Sequence, residues 1–553
     1  MVLTLSATLA PAVAKGRPHL SVVAQAPGAD KEDDSADGPE AKAELPITLD
    51  DLIAVALINS PDLARAKSDR SVAKSSVGSE RKSQAWVLSA GTQFTHEDTG
   101  LDPTTVAPLT TIAESQLSAN LGLQRNLPTG GNVQVGFDVS HSVKELALPA
   151  GYSGNSNGSS DTVAAATNAV QSNCGLSADY YCMNQARASL TYKQPLLRGL
   201  GSDVALAPQR KAELGHVEAT LKTQLAAEEM IQKLVTDYWE LAYAAYEVDV
   251  RAEALDLAQQ QEKITREELR AGLTQATSLN AVLYEIANRD EALILAKLTW
   301  EKKSLELRRE AGMEIGHRAI VMRPKDPMEI GTDDFEVEDM LNISRRVNRK
   351  LADLELQRKI ADVDVNVAKN NLLPELDVQL QGAVLGSGAT ADGAVGGITG
   401  GSGAGYQVTA GLTFSWEISG AARHMRDGAS QKLHKLDIDK LDLQRQIEGE
   451  VVNAVKVVKS SATRVALSDK AITYAEENVR AERASFQMQR STNFQVMQRM
   501  TELVEARLRR GRAVADYQEA VVQLQFLSGV LLEQYRVNVR APQGQGQLLD
   551  GVN

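Results

Sequence analysis

The sequence predicts an α+β membrane protein, a β-barrel segment continuous with long coiled-coil helical hairpins, with the whole unit duplicated along the chain. Three observations carry this. Two leading helices align at one constant offset, 288. Each is followed by blocks of strict apolar/polar alternation, the pattern of a strand with lipid on one face and water on the other. Each block then releases the chain into a long proline-poor stretch with heptad spacing.

The composition agrees. Aromatic residues are only 4% of 553, and Ala, Leu, Glu, Lys, Arg and Gln crowd into long stretches, as in long helices. A net charge of −13 speaks against nucleic acid, which needs a basic surface. No run of about 20 apolar residues follows the N-terminus. A barrel needs none, since its membrane signal lies in alternation.

Residues 1–46 read as a leader or a disordered acidic tail. Met1–Ala14 is mildly apolar and ends in Ala12-Val13-Ala14, an A-x-A-like pattern, but Lys15 and Arg17 follow it rather than precede it. Gly28–Glu44 is acidic and contains Pro and Gly.

Repeat 1 is placed at 47–312. Its helix starts at Thr48, an N-cap candidate with Asp50 and Asp51 in the first turn. Leu52, Val55, Ala56 and Ile58 follow at helical spacing. An enlarged β-block spans about 85–194, with alternation at Trp86–Phe94, Leu117–Leu123 and Val133–Val139, and with Leu190 and Tyr192 closing the set. Leu127-Pro128-Thr129-Gly130-Gly131 makes a tight turn. A Gly/Ser/Asn-rich loop holds the only two cysteines, Cys174 and Cys182, whose closeness suggests a small disulfide and an oxidising compartment. A heptad seam through Ile231, Leu234, Tyr238, Leu241, Ala245 and Val248 predicts about 65 helical residues, roughly 100 Å. It breaks at a tip, about 271–279, and a second helix returns to Gly312.

After a linker at 313–333, repeat 2 occupies 334–538. It has a leading helix, a β-hairpin at about 375–416 around a glycine loop (Gly393–Gly405), and a helical hairpin with its tip at about 489–496. Residues 539–553 form a flexible tail. Gly272 matches Gln489 and Leu279 matches Val496, both at offset 217. Repeat 1 thus carries four strands to repeat 2's two. Three copies of the chain give 18 strands if all span; the alternative is that the hairpin turning at Pro128–Gly131 is a flap. Trp86 and Trp416 sit where strands meet helices, as membrane-interface aromatics do.

Asn371-Leu372-Leu373-Pro374-Glu375-Leu376, Gln194-Pro195-Leu196-Leu197-Arg198-Gly199 and the two tips, in this order and with the duplication, resemble the TolC-like outer-membrane efflux protein family over about 47–538. The resemblance implies a homotrimer in the outer membrane of a Gram-negative bacterium, in contact with its lipid and with a large periplasmic part. It implies a passive exit duct of a tripartite efflux or type I secretion system, driven by an inner-membrane pump through a periplasmic adaptor protein. It implies that the tips close the tunnel and meet the adaptor. The residues there are Gly272, Thr274 and Thr277, and Arg490, Ser491, Thr492, Asn493, Phe494 and Gln495. The chain departs from the family in having Gln489 where Gly is common, Gln495 where an acidic residue is frequent, and an enlarged first β-block. Gln495, Gln498 and Arg499 predict a less cation-selective entrance.

Other classes fit less well. A coiled-coil surface or adhesive protein predicts one uninterrupted stalk, and a periplasmic adaptor predicts a lipoyl-like domain. No enzyme, cofactor or metal site is expected: the seven histidines show no ligand spacing, and neither Gly-Lys-Ser/Thr nor Gly-x-Ser-x-Gly occurs.

Overall fold

The structure, a computed structural model, describes residues 44–100, 110–146, 180–315, 321–331, 334–401 and 403–537. Residues 1–43, Cys174 with most of its loop, and the C-terminal tail lie outside them.

A short strand β1 (Glu44–Ile47) leads into α1 (Leu49–Asn59) and α2 (Pro61–Lys82). Strands β2 (Val87–Asp98), β3 (Thr111–Asn126), β4 (Asn132–Leu146) and β5 (Tyr180–Pro195) follow. After a single turn come the long helices α3 (Ala207–Arg270) and α4 (Ala276–Glu310). The second half repeats the plan with β6 (Val321–Pro324), α5 (Val337–Val347), α6 (Arg349–Asn370), β7 (Glu375–Gly388), α7 (Ala391–Ile398), β8 (Ala404–Ser415), α8 (Ala421–Gln487) and α9 (Asn493–Ser528).

The offset of 288 holds for both leading helices, but each is two helices rather than the one the sequence suggested. The break falls at Ser60 and at Asn348, at that same offset. Pro61 forces the first: it excludes helical geometry at Ser60 and takes the first helical position itself. The second has no proline. The Asn348 side chain instead accepts from the amides of Lys350 and Leu351 and donates to Leu527 O at 2.9 Å.

The six long strands form one antiparallel sheet in the order β2-β3-β4-β5-β7-β8. The hairpin turning at Pro128–Gly131 is therefore continuous with the rest of the sheet. Its turn is pinned to the strand-to-helix exit: Gly130, at φ +88°, lies so close to Gly199 O that a Cβ would be 2.1 Å from it. Thr129 donates to the Gln194 side chain at 3.0 Å. The two motifs that carry the family resemblance also bond to each other, Leu196 N to Leu376 O at 2.7 Å and Arg198 N to Pro374 O at 3.3 Å.

Below the sheet the long helices make a wall four helices wide at two levels. Nearest the strands the order of contact is α2, α3, α6, α8, and farther away it is α4, α3, α9, α8. At 64 and 67 residues, α3 and α8 are each about 100 Å long and run through both levels. Their seams bury Ile231, Leu234, Tyr238 and Leu241 on α3 and Val451, Val455 and Val458 on α8.

Two segments read as tail and linker pair with each other. Glu44–Ile47 and Val321–Pro324 form a two-stranded parallel sheet. It is locked by Trp300 Nε1 donating to Met322 O and by Met322 N donating to Ser304, at 3.0 and 2.8 Å. Tyr238 donates to Asp326, whose carboxylate accepts from Leu49 N at 2.9 Å and so caps α1. The glycine stretch after β7, expected to be a loop throughout, contains α7. A Cβ on Gly386 would lie 1.9 Å from Ala394 O, so only glycine lets this helix seat on the sheet. Asn184, 7% exposed, donates to Ala389 O at 2.8 Å and holds its leading end.

Candidate functional site

The residues singled out as tip residues lie at the far ends of the two helical hairpins, each set within its own turn. In the first tip, Gly272 N donates to Leu269 O and Leu273 N to Glu268 O, at 3.1 and 2.8 Å. In the second, Gln489 N donates to Phe486 O and Arg490 N to Ser485 O, at 2.8 and 2.9 Å. Donor for donor and acceptor for acceptor, the two sets keep the offset of the sequence match, 217. The returning helices begin at Ala276 and Asn493, which keep it too.

The tip residues do different things. Gly272, Thr277, Arg490 and Phe494 are exposed, Phe494 at 74%, while Thr274 is half-buried. Thr492 is an N-cap whose hydroxyl accepts from Gln495 N, while the Gln495 side chain accepts from Thr492 N. This is a capping box, and Ser491 adds to it by donating to Gln495 at 3.0 Å. Gln495 therefore closes the first turn of α9. An acidic side chain could make the same bonds and add a charge.

Asn493 is buried at 7% and accepts from the side chain of Gln261, itself 3% exposed, at 2.7 Å. That bond ties the start of α9 to α3, one hairpin to the other. Arg289 on α4 makes a second tie: it donates to Ala254 O at 2.9 Å and to Thr501 on α9 at 3.2 Å. Arg507 makes a third, bridging Glu253 on α3 and Glu476 on α8 at 2.7 and 3.1 Å. Between the first two ties lies an apolar plug of Ala258, Val479, Val496, Met497, Met500 and Leu503. Neither Gln261 nor Arg289 is among the residues expected at the tips from the sequence. The signal for Gln261 was present: Ala254, Ala258, Gln261 and Thr265 continue the heptad spacing of the α3 seam, with polar side chains where apolar ones are the rule.

Nearer the sheet, Arg349 pairs with the buried carboxylate of Glu228 and donates to Gly529 O at 2.9 Å, which joins α6, α3 and the end of α9. Burial lifts the Glu228 carboxyl to about 7, against the pull of Arg349.

The sheet has two chemically distinct faces. Cross-strand register puts Leu123, Val135, Leu190, Gly382 and Val408 in one row on one face. The neighbouring row, Val87-Gln124-Gln134-Thr191-Gln381-Thr409, lies on the other. Two ion pairs lie on the polar face, Lys193 with Asp377 at 2.7 Å and Lys144 with Glu114 at 3.3 Å. Many apolar side chains are exposed, Leu88 at 71%, Val408 at 78% and Leu412 at 67%. The two edge strands, β2 and β8, have no partner on their outer sides among the described residues. Trp86, under Arg125 at 5.9 Å, and Trp416 flank these edges, 47% and 63% exposed. Cys182 is buried and disulfide-bonded; Cys174 lies outside the described residues. Among the described residues no helix is long and apolar enough to cross a membrane, and no cluster of three or more His, Cys, Asp or Glu could hold a metal.

No protein-family model and no curated protein matches the sequence. Solved structures do. The Campylobacter jejuni outer membrane channel CmeC superposes with a TM-score of 0.62 at 13% identity, over 92% of this chain and 94% of CmeC. The outer membrane protein VceC of Vibrio cholerae gives 0.60 at 12% identity, over 87% and 96%. The open state of the Neisseria gonorrhoeae outer membrane channel MtrE gives 0.59 at 13%, over 87% and 89%. At such identity the likeness is one of fold, and it spans nearly the whole of each channel.

Proposed function

The chain has the TolC-like outer-membrane channel fold, and we propose that it works as such a channel: one protomer of an exit duct in the outer membrane of a Gram-negative bacterium. The observation that carries this is the continuity of a two-faced six-stranded sheet with a four-helix wall about 100 Å long. A sheet with an apolar face and a polar face is stable where lipid meets one and water the other. Along β8, Tyr406 and Trp416 stand about 33 Å apart, or about 25 Å in height once the strand is tilted, the spacing of the two aromatic girdles of a membrane barrel.

One chain leaves its edges open, so the duct needs several copies. Adjacency within the chain puts β2, α2 and α4 along one side and β8 and α8 along the other. Both sides expose apolar side chains, Ile294, Leu295 and Leu298 on α4 and Ile438, Leu441 and Leu467 on α8. Head-to-tail contact between the two sides closes a ring, which we take to be a homotrimer. Transport through it is passive, with energy supplied by an inner-membrane pump through a periplasmic adaptor that meets the tips. The ties at Gln261–Asn493 and Arg289–Thr501 hold the hairpins together in the closed state. Nothing in this function calls for catalysis.

Fractionation and planar-bilayer recording test the proposal. The expected result is a heat-modifiable trimer in outer-membrane fractions that conducts ions. A monomeric soluble protein that forms no pores would overturn it.

A further inference from the structure

Resting on this channel reading, we infer that β2 of one copy pairs antiparallel with β8 of the next over their full length, Val87 opposite the partner's Ser415. All six strands of every copy then stand in the barrel wall. Both edge strands have 12 residues. Because every pairing within the sheet is antiparallel, an even number of strands leaves β2 and β8 running in opposite directions, as an antiparallel seam requires.

Side-chain alternation restricts the register. In full-length pairing Leu88 faces the partner's Phe414, Ala90 the partner's Leu412, Thr92 the partner's Ala410 and Phe94 the partner's Val408. On the lipid face large side chains then meet at Leu88 and Phe94, and small ones at Thr92. Ser89, Gly91 and Gln93 face the partner's Thr413, the partner's Gly411 and the partner's Thr409 on the polar face. Trp86 comes beside the partner's Trp416 at the foot of the barrel. A slip of one residue would set apolar groups against polar ones along the whole seam.

Closure geometry excludes one of the two neighbouring registers, and strand-end pairing disfavours the other. The ladder that leaves Val87 reaches Thr409, and the full-length seam carries it to the partner's Gln93, six positions higher on that strand. Six residues of about 3.3 Å over six strands of about 4.8 Å is a tilt of about 35°, at the lower edge of the range real barrels adopt. A two-residue slip one way lowers the tilt to about 25°, outside that range. The opposite slip gives about 42° but leaves strand ends unpaired and separates the tryptophans.

The widths agree as well. Six strands at this tilt occupy about 35 Å of circumference, and four helices at 8–10 Å occupy about 32–40 Å. Sheet and helical wall therefore close together whatever the number of copies. With three copies the backbone radius is about 17 Å. Its inner face has a row of short side chains, Ser89, Gly122, Gly136, Ser189 and Ala383, that ends at Gln407. The barrel is then as wide as the tunnel and is not where the duct narrows.

The test is disulfide trapping in membranes with the full-length double variant T92C/A410C, beside the slipped pairs T92C/L412C and T92C/V408C. An α4–α8 cysteine pair reports the helical seam. The expected result is a reducible ladder of linked chains from T92C/A410C, at least about tenfold more than from either slipped pair. Equal or greater linking by a slipped pair overturns the register. Linking only through the helices overturns the β2–β8 seam but leaves the channel proposal standing. No linking at any pair, in a chain that remains monomeric, overturns both.

Discussion

Gln489 holds the left-handed backbone that Gly272 holds at the matching place in the first tip, at φ +58° and +72°. The same two amide-to-carbonyl bonds close both tips around them. Glycine takes this conformation freely, whereas a residue with a Cβ is strained in it by about 1 kcal/mol. Gln489→Gly is therefore expected to raise the melting temperature of the purified oligomer slightly, and Gly272→Ala to lower it. A shift of the same sign from both would show that the tips are not equivalent.

Loss of the Gln261–Asn493 bond leaves a buried amide without its partner, at a cost of about 1–3 kcal/mol. If the tie holds the closed state, Asn493→Ala should increase single-channel conductance while oligomer yield stays near normal. Unchanged conductance with reduced stability would mean that the bond serves packing alone.

Gln495 offers a cleaner probe of selectivity, because Glu can keep the capping box and add one charge per chain. Reversal-potential measurements should show Gln495→Glu channels more cation-selective than the parent. Identical potentials would remove the tip from the selectivity path.

Glu228 sets a pH dependence whose sign is fixed. Its carboxyl is lifted to about 7 in the folded chain from an ordinary 4.5. Below 4.5 the proton is on in both states and the term is constant. Between 4.5 and about 7 the unfolded chain ionises first, so the folded state loses stability as pH rises. The stability of the parent relative to Glu228→Gln should fall across that window and level off above it. A difference that does not vary between about pH 4.5 and 8 would contradict the burial of this group.

The seat of α7 can be tested from outside the cell. Gly386→Val drives a side chain into Ala394 O and should lift the helix from the sheet. Protease added to intact cells should then cut within 390–403 faster than in the parent. An unchanged cleavage rate would show that α7 does not depend on this glycine.

Much of this was legible in the sequence because the periods are strong. Val408–Phe414 alternates without a fault, and the α3 seam keeps its three-four spacing over many turns. The tips were placed by comparing the two halves, and the offset that located Gln489 also locates its hydrogen bonds. What was not legible depends on contact between distant segments. Glu44–Ile47 looks like tail because its partner, Val321–Pro324, lies beyond the whole of repeat 1 in sequence. Ala391–Ile398 is glycine- and alanine-rich and has weak helical propensity of its own; it is helical because the sheet offers Gly386 beneath it. The break at Asn348 has no proline to announce it. At the tips, which side chains cap and which bridge depends on burial. Asn493 and Phe494 are neighbours, one buried and the other bare to solvent.

The sheet's two open edges are its first and last strands in sequence, β2 and β8, with most of the chain between them. A chain still being made therefore has the first edge and lacks the last. In the proposed ring, closure must wait until about three quarters of the polypeptide, through Ser415, has been delivered. A truncated product that lacks β8 could add to one side of a growing ring but could never be added to, so the ring itself rejects incomplete chains. During that wait the exposed first edge is open to wrong partners, so the proposed assembly calls for a shield over β2 until β8 has been made.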